Sequence, residues 1–315
     1  MSKYLFGIDL GGTTAKIGLL SEEGRLFEKW EIPTRIENFG RHILPDLAAA
    51  IEKGISENGL TKEDILGVGL AVPGAVTNEK DVAVCVNLNG WGGCDIAQEF
   101  TAMIGLPVKA VNDANAAALG ELWQGGGKGF RNMVLATLGT GVGGGIIIDG
   151  KLLVGAHGSG GEIGHMKLYP SLSDAEGRTE LCGCGKSGCS EQFASATGVV
   201  RLAREMGMTD ADSKFGFLSS KDVFDKAKEE NELALSVVAR FADELGRLLA
   251  NVSAVADPDV IVIGGGVSKA GDFLLDLVQA AFRKYAFPPC EGTLFALAEL
   301  GNDAGFYGAA KLFID

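Results

Sequence analysis

The chain has 315 residues, enough for two domains, and its hydrophobic (46%) and charged (22%) fractions are those of a globular protein. A formal net charge of −13 argues against a nucleic-acid surface, which needs a basic face. No apolar run reaches the length of a membrane span, and Met1-Ser2-Lys3 leads into Tyr4-Leu5-Phe6 without a basic-then-apolar leader, so a cytoplasmic protein with no membrane or nucleic-acid partner is expected.

In chain order, short apolar runs predict strands over Tyr4–Ile8, Ala15–Leu20 and Leu26–Glu31. Leu44, Leu47, Ile51 and Ile55 then recur at helical spacing. Thr61, with Glu63 and Asp64 behind it, marks a helical turn before a strand over Leu66–Val72. A strand over Val108–Val111 ends in Asn112-Asp113, and Ala114–Gln124 reads as a helix. The first half thus has a β-β-β-α-β-α character.

The second half repeats the theme, with strands over Asn132–Leu138 and Gly145–Ile148, then Asp149-Gly150 as a hairpin signal before Lys151–Val154. Helices are predicted over Gln192–Glu205, Lys221–Lys228 and Glu232–Val255, the last with Leu233, Val237, Phe241, Leu245, Leu248 and Val252. Asp259–Ile263 is a buried strand running into Gly264-Gly265-Gly266. A helix from Asp272, a strand from Thr293 and a helix from Asp303 close the chain, while Pro170–Glu180 and Gly207–Ser220 read as surface loops.

A weak internal repeat runs through this order. Asp9-Leu10-Gly11-Gly12-Thr13-Thr14 before Ala15–Leu20 matches Leu138-Gly139-Thr140-Gly141-Val142-Gly143-Gly144-Gly145 before Ile146–Ile148, both strand, glycine loop, strand. The second loop spells G-x-G-x-x-G, but a dinucleotide fingerprint must open a helix. Ile146-Ile147-Ile148 continue a strand instead, and no G-x-x-x-x-G-K-[ST] is present. What remains is a pair of tight turns whose successive N–H groups form a concavity for phosphate oxygens, with Thr13 and Thr140 adding hydroxyls. One such hairpin is commonplace; two matched ones beside Asp9 point to a nucleotide.

Three cysteines, Cys182, Cys184 and Cys189, crowd one glycine-punctuated loop and point to zinc in a reducing compartment. Six cysteines in all are too few and too uneven for a disulfide scaffold. His42 lies in the first half, so the fourth ligand is His157 or His165. A closed Cys₃His site is structural, with no open position for water. Asp9, at the mouth of the first loop, is assigned to Mg²⁺ through water; its everyday use would be an Asx turn. Taken alone, Asp113 reads as a helix cap, and Glu162 and Glu191 as solvated acids.

Asp9-Leu10-Gly11-Gly12-Thr13, Val72-Pro73-Gly74, Asn112-Asp113-Ala114-Asn115, the second glycine loop, Glu162-Ile163-Gly164-His165, Cys182 to Glu191 and the closing Gly301 to Ala310 segment change those readings. In this order they resemble the ROK family of sugar kinases and repressors over essentially the whole chain, within the actin-like ATPase and sugar-kinase superfamily. The resemblance implies an α/β fold of two actin-like (ribonuclease H-like) domains facing a central cleft. They would comprise 1–113 plus 303–315, and 114–302 with the zinc loop and an oligomer interface. It implies phosphorylation of a hexose 6-hydroxyl by ATP, with Asp113 as general base. Asn112, Asp113, Glu162, His165 and Glu191 would bind sugar, with Gly74 and Asn87 as weaker candidates. Asp9, Gly11, Gly12, Thr13, Thr14, Lys16, Gly139, Thr140, Gly141, Gly143, Gly265 and Gly266 would bind ATP. His165 completes the zinc site in this family's pattern, and a homodimer or homotetramer is expected. Glucose leads as substrate, with N-acetylmannosamine, mannose or fructose as alternatives and polyphosphate as an alternative donor. A repressor would need a helix-turn-helix ahead of Asp9, and a non-catalytic sensor would not need Asp113 with both loops.

Overall fold

The structure is a computed structural model that describes residues 3–93, 95–173 and 179–314, with the side chain of Val86 also outside the description. The middle of the predicted Pro170–Glu180 loop therefore lies outside the described residues. The chain opens with β1 (Tyr4–Leu10), β2 (Thr14–Ser21) and β3 (Leu26–Pro33), paired antiparallel in sequence order. A single turn, α1 (Glu37–Gly40), leads into α2 (Ile43–Glu57), which buries all four residues of its predicted stripe. Then β4 (Ile65–Val72) joins β1 in parallel.

Residues 73–107 hold elements that periodicity does not reveal. A small antiparallel sheet forms from β5 (Val76–Thr77), β6 (Asp81–Cys85) and β7 (Trp91–Gly93), followed by α3 (Ile96–Ile104). Strands of two to five residues are too short to show a period. The first sheet is completed by β8 (Val108–Asn112), parallel to β4, and α4 (Asp113–Gln124) follows.

The second half runs β9 (Met133–Leu138), β10 (Val142–Ile148) and β11 (Lys151–Leu152), then α5 (Glu191–Ala194) and α6 (Ala196–Glu205). The single helix predicted from Gln192 to Glu205 is broken at Ser195, which has extended backbone and caps α6 through Gly198 N. After α7 (Ser220–Lys228) and α8 (Glu232–Ala256) come β12 (Val260–Gly264), α9 (Asp272–Tyr285), β13 (Leu294–Leu297) and α10 (Ala304–Lys311).

The internal repeat is visible in the topology. One sheet has the order β3-β2-β1-β4-β8 and the other β11-β10-β9-β12-β13. In each, the first strand sits at the centre, with an antiparallel hairpin on one side and two parallel strands on the other. Each sheet has its own large apolar core. Between the sheets lie α4 and α10: α10 rests on β1 and β4, and α4 meets α10, β8 and β4 as well as β9 and β10. The approach is close because glycine permits it, since a Cβ at Gly308 would collide with the Ala116 carbonyl and one at Gly69 with that of Ala309. Among the described residues, no helix is long and apolar enough to cross a membrane.

Candidate active site

The carboxylate end of β8 is organised by Asn112, not by Asp113. Asn112 is the N-cap of α4, its Oδ1 accepting from Ala114 N (3.0 Å) and Asn115 N (3.1 Å). Its Nδ2 donates to the Gly74 carbonyl and to Asp113 Oδ1, both at 3.1 Å. All four hydrogen-bonding positions of this amide are thus spent inside the chain, and the cap that Asp113 would ordinarily supply is already provided. Asp113 Oδ1 also accepts from Ala114 N (2.8 Å), while Oδ2 takes no hydrogen bond from the described residues. The side chain is exposed, yet surrounding atoms crowd its carboxylate enough to desolvate it in part. Desolvation raises its pKa; the bond from Ala114 lowers it and the charge of Glu162 raises it again.

Asp9 stands in β1, opposite Lys16 on β2, and is half-buried. Burial pushes its carboxyl up to about 6, against the attraction of Lys16 and with the added repulsion of Asp113. Two acids in each other's field, one of them largely desolvated, form a donor set that a cation relieves. The N-terminus of α10 abuts the same carboxylate, a Cβ at Gly305 lying 2.7 Å from Asp9 Cγ.

The turn after Asp9 is closed by Gly11 N to Thr14 O (3.0 Å) and tied to the end of β3 by Thr34 N to Thr13 O (2.8 Å). Gly12 and Thr13 are exposed at its tip, and Lys16 Nζ reaches Asn302 O (3.3 Å). Asn87 lies beside this turn, where a Cβ at Gly12 would come 3.1 Å from its carbonyl oxygen.

The second turn consists of Gly139, Thr140 and Gly141, closed by Gly139 N to Gly141 O (3.1 Å). Gly143 lies past it, inside β10 opposite Thr137. The strand predicted from Gly145 begins at Val142, so the second half of the dinucleotide-like letters is strand. Two bonds from the start of α6 hold the turn, Ala196 N to Gly139 O (2.9 Å) and Thr197 Oγ1 to Thr140 O (2.9 Å). At the neighbouring strand end, Gly265 (φ +83°) crosses β9 so closely that a Cβ would lie 2.6 Å from Leu138 N and O. Beside Gly266 is a cavity of about 110 Å³ lined by Lys221, Phe224, Lys228, Val267 and Lys269. Sequence reasoning missed the α7 side of this cavity, although Lys221, Phe224 and Lys228 recur at helical spacing.

The donor atoms of His165, Cys182, Cys184 and Cys189 lie within 4.8 Å of one another. Cys184 Sγ and Cys189 Sγ are 3.7 Å apart, and Cys182 Sγ is 3.5 Å from His165 Nδ1. Tetrahedral zinc with ordinary bond lengths requires about 3.8 Å and 3.6 Å for such edges, so the four residues fit that ion. His157 is exposed and stands outside the group. The loop is held by Gln192 Oε1, which accepts from Gly188 N (2.7 Å) and Cys189 N (3.1 Å). Burial pushes the Cys182 thiol well up, and its hydrogen bond to Glu191 Oε1 (2.7 Å) pushes the same way.

The Cys/His group joins the two remaining acids. His165 Nε2 faces Glu162 Oε2 at 3.8 Å, and Nδ1 faces Glu191 Oε1 at 3.9 Å. The other oxygen of Glu191 lies over the second turn, where a Cβ at Gly141 would strike it. Glu162, His165 and Glu191 therefore form a polar wall that reaches the second turn, and the charge of Glu162 is felt at Asp113. Behind Gly74 lies Cys85, 2.9 Å from where a Gly74 Cβ would be, with its thiol raised to about 11 by burial and then by Asp113. Nothing in its sequence context marks Cys85 as a neighbour of the site.

The family model described as "ROK family" matches residues 5–315. A glucokinase of Halalkalibacterium halodurans is 43% identical over 98% of this chain and 94% of its own length. The crystal structure of a ROK family glucokinase from Streptomyces griseus, in complex with glucose and AMPPNP, superposes with a TM-score of 0.76 at 32% identity, covering 98% of both chains. A ROK hexokinase from Thermus thermophilus gives a TM-score of 0.79 at 31% identity, over 98% of this chain and 96% of its own. The chain belongs to the ROK family and has the actin-like sugar-kinase fold.

Proposed function

We propose that this ROK-family chain is an ATP-dependent glucokinase, transferring the terminal phosphoryl group of ATP to the 6-hydroxyl of glucose. The observation that carries the reading is the carboxylate of Asp113, relieved of capping by Asn112 and left with an open oxygen between Asp9 and Glu162. Similarity to a glucokinase over nearly the whole chain supports the choice of sugar.

The sugar O6–H gives its proton to Asp113, the O6–P bond forms, and the bond to the β-phosphate oxygen breaks to release ADP. Such transfers have loose transition states, so a carboxylate of modest basicity suffices once it is oriented. Asn112 orients it, and we assign Asn112 this positioning role ahead of direct sugar contact because its amide is already saturated. Glu162, His165 and Glu191, with Gly74 at the opposite wall, are our candidates for the sugar hydroxyls. A site that pairs each hydroxyl discriminates strongly against analogues lacking one.

The turns at Gly11, Gly12, Thr13 and Thr14 and at Gly139, Thr140 and Gly141 would cradle phosphates through backbone N–H groups, with Lys16 nearby. Gly265 and Gly266, with the Phe224 cavity, would take the adenosine end. The same geometry makes Gly143 a strand residue that lets β10 pass Thr137 rather than a phosphate contact. We assign Asn87 to the rim of the first turn. Asp9 would hold Mg²⁺ through water; when bound, that ion neutralises charge on the transferring phosphates. His165, Cys182, Cys184 and Cys189 would hold a structural zinc ion, and ligation through His165 Nδ1 leaves Nε2 carrying the proton it can donate to sugar.

In this reading residues 1–113 with 303–315 form one domain and 114–302 the other, closing on the substrates to exclude water. Reduced zinc thiolates agree with the cytoplasm; a homodimer or homotetramer rests on family resemblance. A coupled assay with ATP across glucose, mannose, fructose, N-acetylmannosamine and N-acetylglucosamine tests the proposal. Glucose should give the highest kcat/KM, and absence of turnover with every sugar would favour a non-catalytic sensor.

A further inference from the structure

Glu121 is 1% exposed, and its partners are backbone amides rather than a cation. Its Oε2 accepts from Gly126 N (2.9 Å) and Glu299 N (3.0 Å), and its Oε1 from Leu300 N (2.9 Å). Those amides belong to two different connections. Residues 125–132 carry the chain from α4 out to the second sheet, and residues 298–303 bring it back from β13 to α10. One buried side chain therefore ties the outgoing crossing to the returning one.

The backbone is shaped for this contact. The Glu121 carbonyl accepts from Gly125 N (3.1 Å) and Gly127 N (3.0 Å), so the outgoing crossing wraps around the residue. A Cβ at Gly125 would strike Glu121 Oε2, and one at Gly126 would strike the Leu297 carbonyl. Only glycines let the two crossings come this close. Asp113 opens α4 and Glu121 stands near its other end, so one rigid helix joins the proposed base to this knot.

We propose that Glu121 is a positioning residue, the pin that fixes the two crossings between α4, α10 and the second sheet as a single unit, so that the halves close without displacing Asp113. The role in turnover rests on the kinase reading above, whereas the pin itself does not. Burying a carboxylate is costly unless its oxygens are hydrogen-bonded, and a carboxylate can accept from all three amides where a neutral amide side chain cannot. In Glu121→Gln one oxygen becomes an NH₂ group that faces an N–H donor.

The test uses the full chain and Glu121→Gln. Hydrogen exchange at Gly126, Glu299 and Leu300 should speed up by about tenfold or more in the unliganded protein, with core amides unchanged. Small-angle scattering should show glucose contracting the wild type but not the variant. The variant's kcat should fall about tenfold while its glucose affinity by calorimetry stays within about twofold. If Glu121→Gln fails to fold, Glu121→Asp, which keeps the charge but shortens the reach, should show the same changes in smaller measure. Wild-type exchange at the three amides, a wild type that does not contract with glucose, or a lowered Tm with kcat and contraction intact would each overturn the pin. Absence of hexose turnover in the wild type would instead defeat the kinase reading, and exchange in the unliganded protein would still decide the pin.

Discussion

In the first sheet the central strand carries Asp9 two residues before its turn; at the matching place in the second sheet stands Thr137. The first turn is open, with Gly12 and Thr13 exposed, and its acid is desolvated and paired across the strand with Lys16. The second turn is clamped by α6 on one side and covered by Glu191 on the other, so it adjoins the cysteine loop and the proposed sugar wall. One supersecondary unit thus serves twice, and side chains rather than backbone separate the roles. In the proposed reading the duplicated unit supplies N–H groups, Asp9 would bring a cation to the first copy, and Glu191 would couple the second to the sugar.

The division of labour can be broken from either side. Asp9→Asn should lower kcat about 100-fold while making the protein more stable at pH 8. The folded carboxyl titrates at about 6 against an ordinary 3.8, so the ionised form costs stability that grows as pH rises through this range. The gain in the variant should be about 2–3 kcal/mol at pH 8 and vanish near pH 4. Mg²⁺ should raise the Tm of the wild type and not that of Asp9→Asn. If both variant and wild type respond alike, the assignment of the ion to Asp9 is wrong.

On the other side, stripping zinc with a chelator should raise the sugar KM about tenfold and lower the Tm together, with little change in KM for ATP. An effect on neither would remove the zinc loop from the sugar site. Gly141→Ala pushes against Glu191, so it should raise the KM for sugar and ATP alike, by about tenfold. Gly12→Ala, with only the Asn87 carbonyl near, should raise KM for ATP alone, by about threefold. Equal effects of the two alanines would dissolve the contrast. The smallest effect concerns pH. Burial pushes Asp9 up to about 6 and raises Asp113 as well, so the acid-side fall of kcat/KM should lie above the ordinary carboxylate range, as a pH–rate profile would show.

The sequence makes the repeat legible because it is written in long apolar strands and glycine turns, and α8 because its stripe is regular over 25 residues. It does not reveal β5 to β7 and α3, where short strands and αL residues such as Asn78, Glu79, Asn89 and Asp95 give no period. Nor does it tell which of Asn112 and Asp113 caps α4, since both residue types cap well and only the register decides. Ser195 breaks a helix whose apolar pattern continues through it. Glu121 reads as an ordinary helix-surface acid until the returning crossing is laid against it. Contacts between segments far apart in sequence are what composition and periodicity leave out.

Asp113 is the centre of the proposed chemistry, and its substitution by Asn is the most direct test. With zinc and Mg²⁺ present, the steady-state kcat for glucose and ATP should fall about 10³-fold, while calorimetric glucose affinity changes only moderately. Turnover near that of the wild type would show that the proton of the sugar hydroxyl goes elsewhere.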